Sequence, residues 1–329
     1  MAESRGPLLK SEALGKGKLV SVIIPFFNRL DLLMSALRSV VAQSYRPIEL
    51  ILVDDLSSEQ FDLKFVDSFM APDFRIKLIR NKKNLGPGLS REAGRQIAKG
   101  DFIAYLDSDD YYHRDFLRKL ISKLESVPEA GMAYSKTLLI RSTGNYLRNK
   151  NELGFGNIIP VIFDVHGRPW ATSSCVWRRS MVNKIGPWST ARMWEDYEYD
   201  VRAAICNNRI EHVPEILFYM NMESKQKISM VKNTKAMISE KARSILSIAR
   251  HLRKSSYYND PEIRKRIVYY LLTSCAALSD YSSGKTEIKD LFKEYYIWKG
   301  TNLSVFGVMT SVAPSKLNSK LFRKIRQFS

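Results

Sequence analysis

The chain has 329 residues, 45% hydrophobic and 26% charged, the composition of a soluble globular protein long enough to bury a core without disulfides. Its 52 basic residues exceed its 34 acidic ones by 18, an excess that asks for an anionic partner. Three widely spaced cysteines, Cys175, Cys206 and Cys275, are odd in number and lack metal-ligand spacing, which argues against a disulfide framework or zinc module and for a reducing compartment.

Residues 1–18 read as a flexible polar tail without the apolar run of a signal peptide. Residues 19–25 (LVSVIIP) are almost continuously apolar, as suits a parallel strand buried on both faces. Leu30, Leu33, Met34, Leu37, Val40 and Val41 follow at helical spacing. Residues 48–53 form a second strand ending in Asp54-Asp55, and residues 76–79 a weaker third. Residues 90–98 read as a helix stopped by Gly100, and residues 102–106 as a strand ending in Asp107-Ser108-Asp109-Asp110. Strands alternating with helices predict an α/β fold with a mostly parallel central sheet flanked by helices. Ligands of such sheets bind beyond the carboxyl ends of the strands. Three strand ends here are polar or acidic, at Asn28, at Asp54-Asp55 and at residues 107–110, so they should converge on one site.

Beyond residue 223 the character changes. Ile238, Ala242, Ile245, Ala249 and Leu252 keep a helical period. Asp260-Pro261 reads as a cap followed by proline at the first helical position, and a third helix spans about residues 286–299. This predicts a helical region over 230–313 after an α/β domain over 19–229. Residues 223–329 hold 21 Lys/Arg against 8 Asp/Glu, so +13 of the total +18 lies in this last third. Residues 314–329 carry Lys316, Lys320, Arg323, Lys324 and Arg326 beside the apolar stripe Leu317, Leu321, Ile325 and Phe328. That pattern suits a short basic amphipathic helix lying on an anionic bilayer, or one packed on the catalytic domain with its lysines solvated. No nucleic-acid fold or aromatic–basic platform accompanies the charge, so nucleic acid is not an expected partner. No stretch approaches the ~20 apolar residues that span a bilayer.

Two acidic clusters carry the chemistry. Asp107, Asp109 and Asp110 crowd within four residues, and carboxylates so placed repel unless a cation or hydrogen-bond donors compensate. Mg²⁺ or Mn²⁺, shared with a substrate's phosphates, would do so; an acidic turn capping the next helix is the bland alternative. Glu195, Asp196, Glu198 and Asp200 stand among aromatics. They suit either a helix N-terminus, where negative charge favours the dipole, or a general base for an acceptor hydroxyl.

Taken together, Pro25-Phe26-Phe27-Asn28, Val53-Asp54-Asp55, Asn84-Leu85-Gly86, Arg91, Leu106-Asp107-Ser108-Asp109-Asp110 and Glu195-Asp196 stand in the order of the family two glycosyltransferases. The resemblance covers residues 19–229, about two-thirds of the chain. It implies a GT-A fold and an inverting hexosyl- or N-acetylhexosaminyl-transferase using a UDP-sugar donor and a divalent metal. It places Pro25, Phe27 and Asn28 in the first nucleotide loop, Asp54 at the uracil base and Asp55 beside it. Gly86 and Arg91 would hold the nucleotide and donor sugar. Asp109 would be the direct metal ligand, with Asp107 sharing the metal or lying nearer the ribose, and Ser108 between them at the nucleotide. Asp196 would be the catalytic base, Glu195 its neighbour at the acceptor, and residues 172–174 with Arg178-Arg179 the segment between the two subsites. The implied setting is the inner face of the cytoplasmic membrane, with a glycan or lipid-linked acceptor in bacterial-type surface polysaccharide synthesis. A sugar nucleotidyltransferase, or a non-catalytic membrane-binding protein of the same fold, is the alternative. Against the first stands the lack of a Gly-rich basic phosphate loop, and against the second the intact Asp109 and Asp196. One departure is plain: the Tyr-Arg-x-His-like stretch common in the family is Tyr219-Met220-Asn221-Met222-Glu223 here, without Arg or His, leaving Lys225 or Lys227 to serve the diphosphate. Neither His166 nor His212 is taken as a ligand.

Overall fold

The structure, a computed structural model, describes residues 17–59, 61–62, 71–147, 158–159, 168–207, 209–223, 234–279 and 285–300. Residues 224–233, which include Lys225, Lys227 and the expected 229/230 boundary, lie outside it, as do His166 and the expected tail helix at 314–329. In chain order the first half runs β1 (Val20–Phe26), α1 (Leu30–Val41), β2 (Ile48–Asp54), β3 (Phe74–Arg80), α2 (Pro87–Ile97), β4 (Phe102–Tyr105), β5 (Tyr111–Tyr112), α3 (Phe116–Ser126), β6 (Met132–Ile140) and β7 (Tyr146–Leu147). It continues with β8 (Cys175–Arg178), α4 (Arg179–Ile185), α5 (Glu195–Cys206), β9 (Ile210–Asn221), α6 (Lys235–Arg253), α7 (Pro261–Ser279) and α8 (Lys285–Lys299).

One sheet has the order β3-β2-β1-β4-β8-β6-β9-β5, with β7 paired to β6. Its first four strands are parallel; β8 then enters antiparallel between β4 and β6, while β6 and β9 are parallel again. The parallel half is the half that the apolar runs marked. Every residue of β1 and β2 is buried, which is why these strands show no alternation in sequence. Pro25 is tolerated in this central strand for a local reason. Peptide groups alternate sides along a strand: Val20 N–H and Phe26 C=O face the β2 side, so Pro25 faces β4. The β1–β4 ladder ends at Ile23 with Tyr105, so Pro25 forfeits no ladder bond.

The two faces of the sheet have separate cores. Val20, Val22, Ile24 and Phe26 pack with Leu33, Leu37 and Val40 of α1 and with Phe116, Leu120 and Leu124 of α3. On the other face Ile23, Ile51, Val53 and Tyr105 join Met181 and Val182 of α4 and Tyr199 and Val201 of α5. Helix α2 lies against this face at Gly94, where a Cβ would meet Ile23 Cγ2 at 2.4 Å, so glycine alone permits that approach. The same core runs on without a break into Ile245 and Leu252 of α6, Leu271 of α7 and Leu291 and Trp298 of α8. Asp260 caps α7 as its Asp-Pro sequence predicts, its Oδ1 accepting from Glu262 N at 2.9 Å and Ile263 N at 3.0 Å.

Candidate active site

The parallel register sets the first edge of the site. Phe26 pairs with Asp54 at the last rung of β1 and β2, which puts Phe27 and Asn28 beside Asp54 and Asp55. Asn28 has left-handed backbone, φ 51°, and its side chain organises the neighbouring loop: Oδ1 accepts from Ser58 N at 2.7 Å. Phe27 is 41% exposed at this mouth. Asp54 is buried; its Oδ1 accepts from Ser57 N at 2.7 Å and its Oδ2 faces Arg80 Nε at 3.5 Å. Asp55 is turned to a different task. Its Oδ1 accepts from Asn81 Nδ2 and Leu85 N, and its Oδ2 from Gly86 N, all at 2.8 Å. The Asp55 carboxylate therefore holds the 81–86 loop in place. Gly86, at φ 84°, starts α2, which opens three residues earlier than its apolar period suggested because Pro87 fits the first turn.

Arg91 is the centre of the site. It is 4% exposed, lies 5.0 Å over the Trp188 ring, and donates to Asp107 Oδ1 at 2.7 Å and to Glu195 Oε1 at 3.1 Å. Burial alone would weaken its charge, but the flanking carboxylates more than compensate and raise its pKa. One guanidinium thus joins the end of β4 to the start of α5, two clusters 88 residues apart in the chain (Asp107 and Glu195). Asp109 pairs with Arg29 Nη1 at 3.1 Å, and Asp110 Oδ1 accepts from Asn221 N at 3.0 Å in the stretch that lacks Arg and His. Ser108 is buried between the two acids. Each carboxylate of the Asp-x-Asp motif thus has an arginine on one oxygen.

Mg²⁺ is usually held by one or two carboxylates and completes its shell with substrate phosphates and water. Asp107 and Asp109 supply two hard oxygen donors two residues apart, and the Asp107 side chain is 38% exposed toward the edge. They fit a cation that arrives with a diphosphate. Among the described residues no group of three or more His, Cys, Asp or Glu gathers to hold a metal without one. His212 stacks on Tyr134, 4.6 Å between ring centroids.

The second cluster divides by environment. Trp194 adopts φ 60° at the N-cap of α5, and the next two carboxylates diverge from there. Glu195 points inward to Arg91; burial and the neighbouring Asp196 charge push its pKa up against the pull of that arginine. Asp196 keeps 29% of its side chain exposed. Burial would raise it, but Arg168 and then Arg91 outweigh that and hold it well below the ordinary carboxylate range. Arg168 pairs with Asp196 Oδ2 and with Asp200 Oδ2, and Thr172 Oγ1 donates to Asp196 Oδ2 at 3.1 Å. Of the segment expected between the subsites, Thr172 reaches Asp196, and Ser173 Oγ accepts from Asp107 N at 3.0 Å. Arg178 Nε instead caps the backbone at Ala130 O, 2.9 Å away, and Arg179 binds Gly100 O, both away from the carboxylates.

Sequence reading did not single out Arg29, Arg168, Trp188 or Asn81. Arg29 had one visible signal, its position beside Asn28 at a strand end. The others are marked only by partners far away in the chain.

The sequence model of the family described as Glycosyl transferase family 2 matches residues 21–186, half of the chain. An uncharacterised glycosyltransferase of Rickettsia felis is 35% identical over 146 residues, 44% of this chain and 23% of that protein. The amylovoran biosynthesis glycosyltransferase AmsB of Erwinia amylovora is 30% identical over 133 residues, 39% of this chain and 44% of AmsB. The chain thus spans less than half the length of either relative. The crystal structure of S. aureus TarS 1–349 in complex with UDP superposes with a TM-score of 0.67 at 17% identity, over 94% of this chain and 90% of that one. That likeness shows a shared GT-A fold, as expected from the sequence.

Proposed function

The chain belongs to glycosyl transferase family 2, and from that membership we propose that it is an inverting transferase moving a sugar from a UDP-sugar to a hydroxyl of a glycan or lipid-linked acceptor. The observation that carries this reading is the bridge Asp107–Arg91–Glu195, which joins the strand-end acids to the carboxylates that open α5 and so supports a donor edge beside an acceptor edge. The name of AmsB, a biosynthesis glycosyltransferase for amylovoran, supports a role in polysaccharide synthesis, and the UDP bound to TarS supports a uridine donor.

On this reading Phe27 and Asn28 border the nucleobase beside Asp54, while Asp55 and Gly86 keep the 81–86 loop shaped for it. Asp107 and Asp109 would hold Mn²⁺ or Mg²⁺, which would supply positive charge to offset that growing on the departing diphosphate. Arg91 keeps Asp107 aimed. Asp196 accepts the proton of the acceptor hydroxyl as its oxygen bonds to the anomeric carbon. The bond from that carbon to the diphosphate oxygen breaks, and UDP leaves with the electron pair. Attack from the face opposite the leaving group turns an α-linked donor into a β-linked product, through an oxocarbenium-like state.

The decisive experiment is metal-dependent release of UDP or GDP by the purified chain across a panel of UDP- and GDP-sugars. UDP-sugars should be turned over, and Asp109→Asn should abolish turnover and weaken UDP binding in Mn²⁺ while the fold persists. Normal turnover by that variant would remove Asp109 from the metal. We extend the reading to the inner face of the cytoplasmic membrane, on the basic amphipathic pattern of residues 314–329. Truncation after Ala313 should abolish flotation with anionic vesicles at low salt and leave UDP binding unchanged; each basic side chain near such a surface contributes about 1 kcal/mol. Loss of UDP binding would instead assign the stripe to the catalytic domain. No helix among the described residues is long and apolar enough to cross a membrane.

A further inference from the structure

Arg168 is the buried cation whose role the reaction outlined above leaves open. It stands just before β8, and its guanidinium spans two carboxylates one helical turn apart on α5, Asp196 and Asp200. The span uses both terminal nitrogens. Nη2 serves Asp196 Oδ2, and Nη1 serves Asp200 Oδ2, which Trp170 Nε1 also reaches at 2.9 Å. The guanidinium plane lies 5.7 Å from the Tyr197 ring centroid. A lysine offers a single point charge and could not satisfy both acids in this geometry.

The consequence for Asp196 lies in which oxygen is engaged. Oδ2 takes two side-chain donors, Arg168 and Thr172. Oδ1 takes only the backbone N–H of Tyr197, at 2.8 Å, among the described residues. The clamp therefore fixes the carboxylate by one oxygen and leaves acceptor capacity on the other, at a side chain that keeps a solvent-facing edge.

We infer that Arg168 is the positioning residue of the acceptor side: it locks Asp196 by Oδ2 and presents Oδ1 to the incoming hydroxyl. The inference rests on Asp196 being the base. Asp200 makes the device stable. It is buried, and burial raises its pKa, so it needs the arginine as much as Asp196 does. The other charged or titratable groups facing Asp196 are Arg91 from α2 and Glu195 and Tyr197 from its own helix; Tyr270 of α7 abuts Tyr197. Arg91 also lowers the Asp196 pKa, but Arg168 is the larger influence and the only one of the two in contact with it.

The test reads Asp196 directly. Carboxyl ¹³C NMR titration of the full-length chain labelled at aspartate, with the Asp196 signal assigned by its loss in Asp196→Asn, should show its midpoint well below the ordinary carboxylate range. Arg168→Gln should raise that midpoint by about one to three pH units, the usual influence of a removed opposite charge. Arg168→Lys should fall between, and it decides the matter should the glutamine variant fail to fold. Hydrolysis of UDP-glucose and UDP-N-acetylglucosamine supplies the second readout. In the variants an acid limb, absent from the unaltered protein above the pH at which the fold fails, should emerge and follow the titration, and the rate should fall on the order of 10²-fold through lost aim, with UDP affinity unchanged. An unmoved Asp196 midpoint in both variants overturns the inference and leaves Asp196 as base. A midpoint that moves without the acid limb overturns Asp196 as base, and the role of Arg168 with it.

Discussion

Asp196→Asn is expected to lower turnover by about 10²–10⁴-fold while leaving UDP affinity unchanged, because a general base contributes to the rate and not to donor binding. The substitution preserves shape and most contacts. The single amide oxygen can accept from Tyr197 N or from Thr172 Oγ1, which meet different oxygens of Asp196, and Arg168 keeps Asp200. What disappears is the negative charge that can receive a proton. In the unaltered protein Arg168 holds Asp196 ionised to well below pH 4, so activity should stay level on the acid side until the fold itself fails. Isothermal titration with UDP and a pH series of sugar-nucleotide turnover check both halves. Weakened UDP binding with normal turnover of bound donor would move Asp196 to the nucleotide edge.

Arg91→Met should have the largest effect on stability, on the order of 3–5 kcal/mol, the cost of removing one partner from a buried ion pair. Methionine can fill the space over Trp188, so packing is largely kept and the change isolates the charge. Glu195 is then buried beside Asp196 without its cation, whereas Asp107 is exposed enough for water to replace Arg91. The sign of the pH dependence follows. Glu195 already has a raised pKa, and loss of Arg91 raises it further. The native variant therefore binds more protons than the unfolded chain above about pH 4.5, and its stability falls as pH rises through that range. Urea unfolding at pH 5 and pH 8 should show the larger deficit at pH 8. An equal deficit at both values would mean that Arg91 acts through packing on Trp188 alone. Donor turnover should be lost at either pH, since Asp107 loses its orienting partner.

The strands that carry the acidic edge could be read directly from the chain. Strands β1, β2 and β4 lie between helices and are buried on both faces, so a nearly continuous apolar run, broken only at Ser21 in β1 and at Glu49 and the terminal Asp54 in β2, is their signature. Their polar ends at Asn28, at Asp54-Asp55 and at residues 107–110 could be placed on one edge because parallel strands end on the same side. The amphipathic periods of α1 and α6 and the Asp-Pro cap of α7 were legible for the same reason: each is a pattern set by neighbours three or four residues away. The mixed half was not legible. Strands β6, β8 and β9 are joined by long excursions, and β8 enters against the direction of its neighbours, which no local period encodes.

The chain composition determined that acids would crowd at this edge, since seven carboxylates stand at residues 54–55, 107–110 and 195–196. Only the tertiary structure decided which of them are free to act. Asp55 is used up on the 81–86 loop, Asp109 meets Arg29 across 80 residues, and Arg91 meets Glu195 across 104. Glu195 and Asp196 are neighbours in sequence with opposite shifts, because the turn at Trp194 sends one into Arg91 and leaves the other under Arg168 at the surface. A carboxylate's chemistry is set by burial and by the nearest charge, and both are properties of the packed chain.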